Sequence, residues 1–208
     1  SGGAANGLAM ASKRRPYCAA ARASAFPDTL LAADWLCDCT MTRKSMDLHV
    51  ATPAGWVSAV LDDFDVFLAD HANCERKASA MAMGMIVKYP DREAITAGLI
   101  DLAQEELQHF AEVHSLMRAR GAKLRRDEPD AYVTQLTKLA RHGRDERFLD
   151  RLLIASVVEC RGAERFGLIA QQAQDRHIRE FYARLRKGEL KHGHIFVEFA
   201  LRYVDAEI

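Results

Sequence analysis

Glu105-Glu106-Leu107-Gln108-His109 and, far downstream, Glu189-Leu190-Lys191-His192 carry the same device, a glutamate three residues before a histidine. At 3.6 residues per turn that spacing sets a carboxylate and an imidazole on one helical face, near enough to hold a single metal ion. One such pair is weak evidence, because glutamate and histidine meet at this spacing on many solvated helices. Where the two pairs fall in the hydrophobic pattern decides the fold.

Working outward from them, the first pair lies in a stripe of period three and four, Ile95, Leu99, Leu102, Glu106, His109, Val113 and Leu116. Glu189 and His192 interrupt a matching stripe, Ile178, Phe181, Leu185, Phe196, Phe199 and Tyr203. Two further stripes complete the set. The first runs Phe64, Phe67, Leu68, His71, Cys74/Glu75, Ala78, Ala82, Met85 and Tyr89, and the third runs Leu152, Ser156, Glu159, Ala163, Phe166 and Ala170. This periodicity predicts four long helices over about 63–89, 91–120, 147–174 and 175–204. Thr52-Pro53 has the form of a helix start and predicts a short helix to about Leu61, and Asp130 to His142 reads as another short helix in the crossover. Pro90 closes the first long helix, Asp91 is expected to cap the second, and Gly121 sits where a C-terminal glycine belongs. No stretch reads as a strand. The expected fold is all-α, a four-helix bundle with a short extra helix in the crossover, and the residues at its middle make the expectation a ferritin-like one.

Each long stripe is apolar except at its middle, where Glu75, Glu106 with His109, Glu159, and Glu189 with His192 stand. Four carboxylates in one apolar core carry a prohibitive desolvation cost unless cations compensate them, and two metal ions supply that compensation. Glu75 to Glu106 is 31 residues and Glu159 to Glu189 is 30, so the chain reads as two hairpins, each bringing one Glu and one Glu-x-x-His. That is the ligand set known for di-iron and di-manganese bundles. Oxygen and nitrogen donors without thiolate suit iron or manganese, with iron the first choice. Glu106 and Glu189 are assigned as bridges, Glu75 and Glu159 as terminal ligands. Glu164 competes with Glu159 through the stripe Leu153, Val157, Cys160, Glu164 and Leu168, and the hairpin repeat favours Glu159. Glu105 points about 100° away from Glu106 and is expected to be solvated or paired. His71, one turn before Glu75, is a candidate partner of a ligand, while His114 and His194 read as surface residues and Cys74 and Cys160 as core filling.

Composition limits the remaining choices. The chain has 208 residues, is 49% hydrophobic and 28% charged, and has a formal net charge of zero, so a polyanion must be met by a local basic patch rather than a global field. No apolar run approaches the roughly 18 to 20 residues needed to span a bilayer. Cys18, Cys37, Cys39, Cys74 and Cys160 lack C-x-x-C spacing, which points to reduced thiols and a cytoplasmic location. Residues 1–45, rich in Ala, Ser and Gly with a Lys13-Arg14-Arg15 cluster, read as an N-terminal extension ahead of a bundle domain over 46–208. Ser1-Gly2-Gly3 has the look of a cloning scar, Met46 is a candidate start, and Leu30 to Cys39 has the apolar content of a short helix.

The residues around the six candidate ligands add a resemblance. Asp70-His71-Ala72-Asn73-Cys74-Glu75-Arg76-Lys77-Ala78, Glu105-Glu106-Leu107-Gln108-His109-Phe110, Val158-Glu159-Cys160-Arg161-Gly162-Ala163-Glu164-Arg165-Phe166 and Glu189-Leu190-Lys191-His192 resemble the tRNA 2-methylthio-N6-isopentenyladenosine hydroxylase family over about residues 47–204. The resemblance implies a non-haem di-iron centre on Glu75, Glu106, His109, Glu159, Glu189 and His192. With O2 and electrons from an outside reductase, that centre hydroxylates the isopentenyl group of a hypermodified adenosine beside the anticodon. Gly188 and Gly193 depart from the pattern, standing where better helix formers are expected. A tRNA partner needs a phosphate-binding surface, and Arg118, Arg120, Lys123, Arg125 and Arg126, expected in a loop at one end of the bundle, are the candidates for the anticodon loop. Two other classes share the ligands: a ferritin-like iron oxidation and storage protein, which requires a cage assembly, and a di-iron oxygenase of a lipid-like substrate, which requires an apolar tunnel and no RNA affinity.

Overall fold

The computed structural model describes residues 47–204; the expectations for Lys13-Arg14-Arg15, for Leu30 to Cys39 and for Cys18, Cys37 and Cys39 lie outside the described residues. Among the described residues the chain forms six helices and no strand: α1 (Gly55–Asp62), α2 (Phe64–Lys88), α3 (Glu93–Ala119), α4 (Ala131–Lys138), α5 (Arg144–Gln172) and α6 (Arg176–Leu201). Helices α2 and α3 pack as one long hairpin and α5 and α6 as another. The two hairpins form the four-helix bundle, with α4 in the crossover and α1 laid against α5. No helix among the described residues is long and apolar enough to cross a membrane.

Local chemistry accounts for three of the helix ends. Asp130 accepts from the backbone N–H of Tyr132 at 2.6 Å and of Val133 at 3.3 Å, and Asp175 accepts from His177 N–H at 2.7 Å. Both are N-caps that satisfy donors a helix start leaves free. Gly121 takes φ 73°, the left-handed turn that ends α3 and that an L side chain rarely adopts. Two expected caps fail. α1 begins at Gly55 with no side-chain cap, because the Thr52 N–H and hydroxyl both donate to Glu164, at 2.9 and 2.6 Å. α3 begins at Glu93 after Arg92, because the Asp91 carboxylate pairs with Arg144 across the bundle end. Helix α4 stops at Lys138, a turn short of His142.

The core is built in two apolar blocks. One holds Trp56, Phe64, Phe67, Leu68, Val113, Met117, Phe166, Ile169, Phe181, Tyr182 and Leu185. The other holds Ala82, Met85, Ile95, Leu99, Leu102, Phe148, Leu152, Phe196 and Phe199. Between them, at mid-length of all four long helices, lies a layer of buried polar side chains.

Candidate metal centre

That layer consists of Glu75, Glu106, Glu159, Glu189, His192 and His71, all at most 6% exposed, with His109 14% exposed at its rim. Every one is set there by helical register. The Glu-x-x-His spacing brings His109 Nδ1 to 3.4 Å from Glu106 Oε2, and the crossing of α2 and α6 brings it to 3.7 Å from both Glu75 and Glu189. His192 Nδ1 lies 2.7 Å from Glu106 Oε1. Glu106, His109, Glu189 and His192 offer ligand atoms that all lie within 4.8 Å of one another. Glu159 faces Glu189 from α5. The six residues singled out from sequence thus meet in one layer.

Charge in this layer is out of balance without a cation. Burial, together with the charge of Glu106, pushes the Glu159 carboxyl up to about 8. Burial and the neighbouring Glu159 and Glu75 push Glu189 well above the carboxylate range. Against burial, Glu106 and Glu75 hold His109 up to about 10. Glu75 moves the opposite way, since His71 and His109 outweigh its desolvation. Protons therefore stand in for positive charge where carboxylates crowd.

A test of fit lies in the unsatisfied atoms. Glu106 Oε1, Glu189 Oε1, His109 Nδ1 and His192 Nδ1 are buried with no well-aligned hydrogen bond, and Glu106 Oε1 and His192 Nδ1 crowd to 2.7 Å, although buried polar atoms are almost always well bonded. All four belong to the converging set and point into it. A hard or borderline cation with oxygen and nitrogen ligands satisfies them together.

The surrounding residues settle several expectations. Glu164, the competitor of Glu159, turns outward to Thr52 and Arg161 and takes no part in the layer. Glu105 is paired: its Oε1 meets Lys191 Nζ at 2.5 Å and its Oε2 lies 3.0 Å from His192 Nε2. His71 is 2.5 Å from Glu75 Oε1 through Nε2 and 3.0 Å from the Tyr182 hydroxyl through Nδ1. Tyr182 was not legible as a site residue, since an aromatic on an apolar stripe gives no separate signal. Cys160 is buried as expected, whereas Cys74 is exposed: it lies beside Glu75 but one step around the helix, on the outer face.

Gly188 and Gly193, which departed from the family pattern, have a steric reason, and Gly162 shares it. A Cβ on Gly188 would stand 2.9 Å from His109 Cε1, one on Gly162 3.0 Å from Glu189 Oε2, and one on Gly193 3.0 Å from Cys160 Sγ. Gly193 also brings α6 close enough for its carbonyl to accept from Ser156 Oγ at 2.8 Å. At the rim of the layer, His109 and Leu185 line a cavity of about 210 Å³ between α3 and α6, together with Glu105, Gln108, Glu112 and Arg184. Ion pairs Arg184–Glu112 and Lys191–Glu105, each 2.5 Å, cross between α3 and α6 there.

The basic stretch after α3 does not stay at the bundle end. It turns back along α2: the Arg125 carbonyl accepts from Asn73 Nδ2 at 3.2 Å, and Asp127 pairs with Lys77 at 2.8 Å. Asn73 and Lys77 flank Glu75, so this loop reaches the level of the polar layer. Arg118, Lys123, Arg125 and Arg126 are exposed, and Arg120 pairs with Asp65 at 2.6 Å.

Comparisons with known proteins agree with this geometry. The family model described as tRNA-(MS[2]IO[6]A)-hydroxylase (MiaE) matches residues 39–208. The chain is 34% identical over 158 residues to the tRNA 2-(methylsulfanyl)-N(6)-isopentenyladenosine(37) hydroxylase of Pseudomonas putida, covering 76% of this chain and 77% of that protein. It is 25% identical over 194 residues to the protein of the same name from Salmonella typhimurium, covering 70% and 72%. Among solved structures, protein 43 with aldehyde deformylating oxygenase activity from Synechococcus is similar with a TM-score of 0.74 at 33% identity, over 77% of this chain and 80% of that one.

Proposed function

This chain belongs to the tRNA-(MS[2]IO[6]A)-hydroxylase family, and from that membership we propose that it hydroxylates the isopentenyl group of 2-methylthio-N6-isopentenyladenosine in tRNA at a di-iron centre. The observation that carries the metal reading is the set of buried, converging ligand atoms on Glu106, His109, Glu189 and His192. Glu106 and Glu189 would serve both metal positions, Glu75 and His109 would complete one, and Glu159 and His192 would complete the other. When bound, two iron ions supply activation of O2, with electrons from an external reductase. The chain's own part is to hold the ligands in register and to keep water away. The apolar blocks above and below the layer do the second, which strengthens every charge interaction within it.

The substrate is a base in a folded RNA, so it must be splayed out of its stack to reach a buried centre. The loop carrying Lys123, Arg125 and Arg126, with Arg118 in the last turn of α3 before it, supports this reading, because it runs beside α2 at the level of Glu75. Its cations meet phosphates of the anticodon loop, and affinity for RNA then falls steeply with salt.

The test is direct. Iron-loaded, reduced protein is given O2 and tRNA carrying the isopentenyl modification, and the tRNA is digested to nucleosides for mass spectrometry. The hydroxylated nucleoside, 16 mass units heavier from one added oxygen, is the expected product; metallated protein that leaves the tRNA unchanged would contradict the proposal. A second reading, oxygenation of a lipid-like aldehyde, is favoured only by the activity named for the Synechococcus structure. Turnover of a fatty aldehyde with no binding of tRNA would support it instead.

A further inference from the structure

Two imidazoles turn Nδ1 toward the layer, but only one has its other nitrogen held. His192 is fully buried, and its Nε2 lies 3.0 Å from Glu105 Oε2. Glu105 is itself fixed, since its second oxygen meets the ammonium of Lys191 at 2.5 Å. The carboxylate thus reaches inward from a partly exposed position and is clamped by the residue next to the histidine it contacts. His109 differs. Its Nε2 has no hydrogen-bond partner among the described residues, its ring borders the opening between α3 and α6, and across from it stands Gly188, which contributes no side chain.

A carboxylate only accepts hydrogen bonds, so the contact requires the hydrogen of His192 to sit on Nε2. In the neutral ring the lone pair is then on Nδ1, the atom that faces Glu106 Oε1 at 2.7 Å in the layer and that would be offered to a metal ion there. Nothing fixes the tautomer of His109 in this way. Carboxylates behind metal-bound histidines orient the ring and raise its basicity, and losing one lowers metal affinity about 10–100-fold.

We infer that Glu105 is a positioning residue for His192 and that it makes the two metal positions unequal: the one served by His192 and Glu159 is the tighter, and the one served by His109 and Glu75 is the first to lose its ion. This inference rests on the di-metal reading above. It also gives a duty to the adjacent glutamates: Glu106 is a ligand, and Glu105 acts through a ligand on the opposite hairpin.

The experiment is anaerobic loading of the full chain with ferrous iron, then release to a chromogenic ferrous chelator followed in time. It is run on the wild type, Glu105→Ala, Glu105→Gln and, as a control, Asp101→Ala, which removes an exposed acid one turn away. Far-UV circular dichroism checks that each variant is folded. The wild type should hold two irons and release them in a fast and a slow phase of equal size. In Glu105→Ala the slow phase should accelerate about 10–100-fold with the fast phase unchanged, Glu105→Gln should fall between, because its amide oxygen still accepts from Nε2–H, and Asp101→Ala should match the wild type. Release of both irons from Glu105→Ala at wild-type rates, acceleration of the fast phase alone, or the same effect from Asp101→Ala would overturn the inference while leaving two bound irons and the proposed function intact. A wild-type chain that holds no pair of irons would instead overturn the di-metal reading, and this inference with it.

Discussion

Replacing Gly188 by alanine puts a methyl carbon 2.9 Å from His109 Cε1 and 3.1 Å from its Nε2. Carbon atoms pack at about 3.5 Å, so the ring must retreat by about 0.5 Å or the helices must part by as much. Metal–ligand bonds tolerate about 0.2 Å, so the displacement matters far more to a metal position than to the fold. For the metal-free protein two effects oppose each other: alanine favours an interior helical position by about 1 kcal/mol, and overpacking costs about 1–3 kcal/mol. The net is a loss of about 0–2 kcal/mol. At about 2–4 °C per kcal/mol for a chain of this size, metal-free Tm should fall by no more than about 8 °C. Ferrous iron should raise Tm less in the variant than in the wild type, because a ligand that binds only the native state stabilises it in proportion to its affinity. Differential scanning calorimetry with and without iron under argon measures both. If Gly188→Ala raises Tm by the bare propensity gain and keeps the full iron-dependent increment, the glycine is not there for His109 and the reasoning is wrong.

Other outcomes follow from the same geometry. Glu106→Ala removes a carboxylate that both histidines approach, and metal analysis should find the pair of ions lost with helical content retained; a variant that still holds two would refute the bridging role. Tyr182→Phe leaves His71 Nδ1 buried without its partner. Unfolding in urea should show a loss of about 1–3 kcal/mol, and an unchanged midpoint would show that the hydroxyl is dispensable. The metal-free protein should lose stability as pH rises from about 5 toward 10: Glu159, raised by burial and Glu106 to about 8, and His109, raised against burial by Glu106 and Glu75 to about 10, both bind protons more tightly when folded. Metal must displace those protons, so the increment in Tm from iron should grow over the same range, and a flat increment would refute that coupling. Arg125→Glu together with Arg126→Glu should weaken tRNA binding and lower its salt dependence by about two contacts, read by fluorescence anisotropy; unchanged binding would move the RNA surface elsewhere.

Most of the bundle was legible because its helices are long and their stripes regular. The third stripe buries Leu152, Ser156, Glu159, Ala163 and Phe166, and the fourth buries every member from Ile178 to Phe199. The polar layer was legible for the same reason, since charged residues inside apolar stripes stand out. Local signals failed where a distant partner took the group. Thr52 reads as a cap until Glu164, 112 residues away, claims both its donors. Asp91 reads as a cap until Arg144 takes its carboxylate. The choice between Glu159 and Glu164 needed the helix rotation that the hairpin spacing only suggested. Cys74 was misplaced because its stripe offered two adjacent residues, and the fold buries Glu75. The glycines at positions 188 and 193 looked like poor helix formers because propensity is a property of one helix, whereas their reason lies in side chains brought in by the neighbouring one.

The most direct test is a crystal structure of the iron-loaded chain with anomalous scattering recorded at the iron absorption edge. Two anomalous peaks are expected about 3.5–4 Å apart, one between Glu75 and His109, the other between Glu159 and His192, and both in reach of Glu106 and Glu189. A layer without such peaks, a single peak, or iron bound only at surface carboxylates would contradict the di-metal reading.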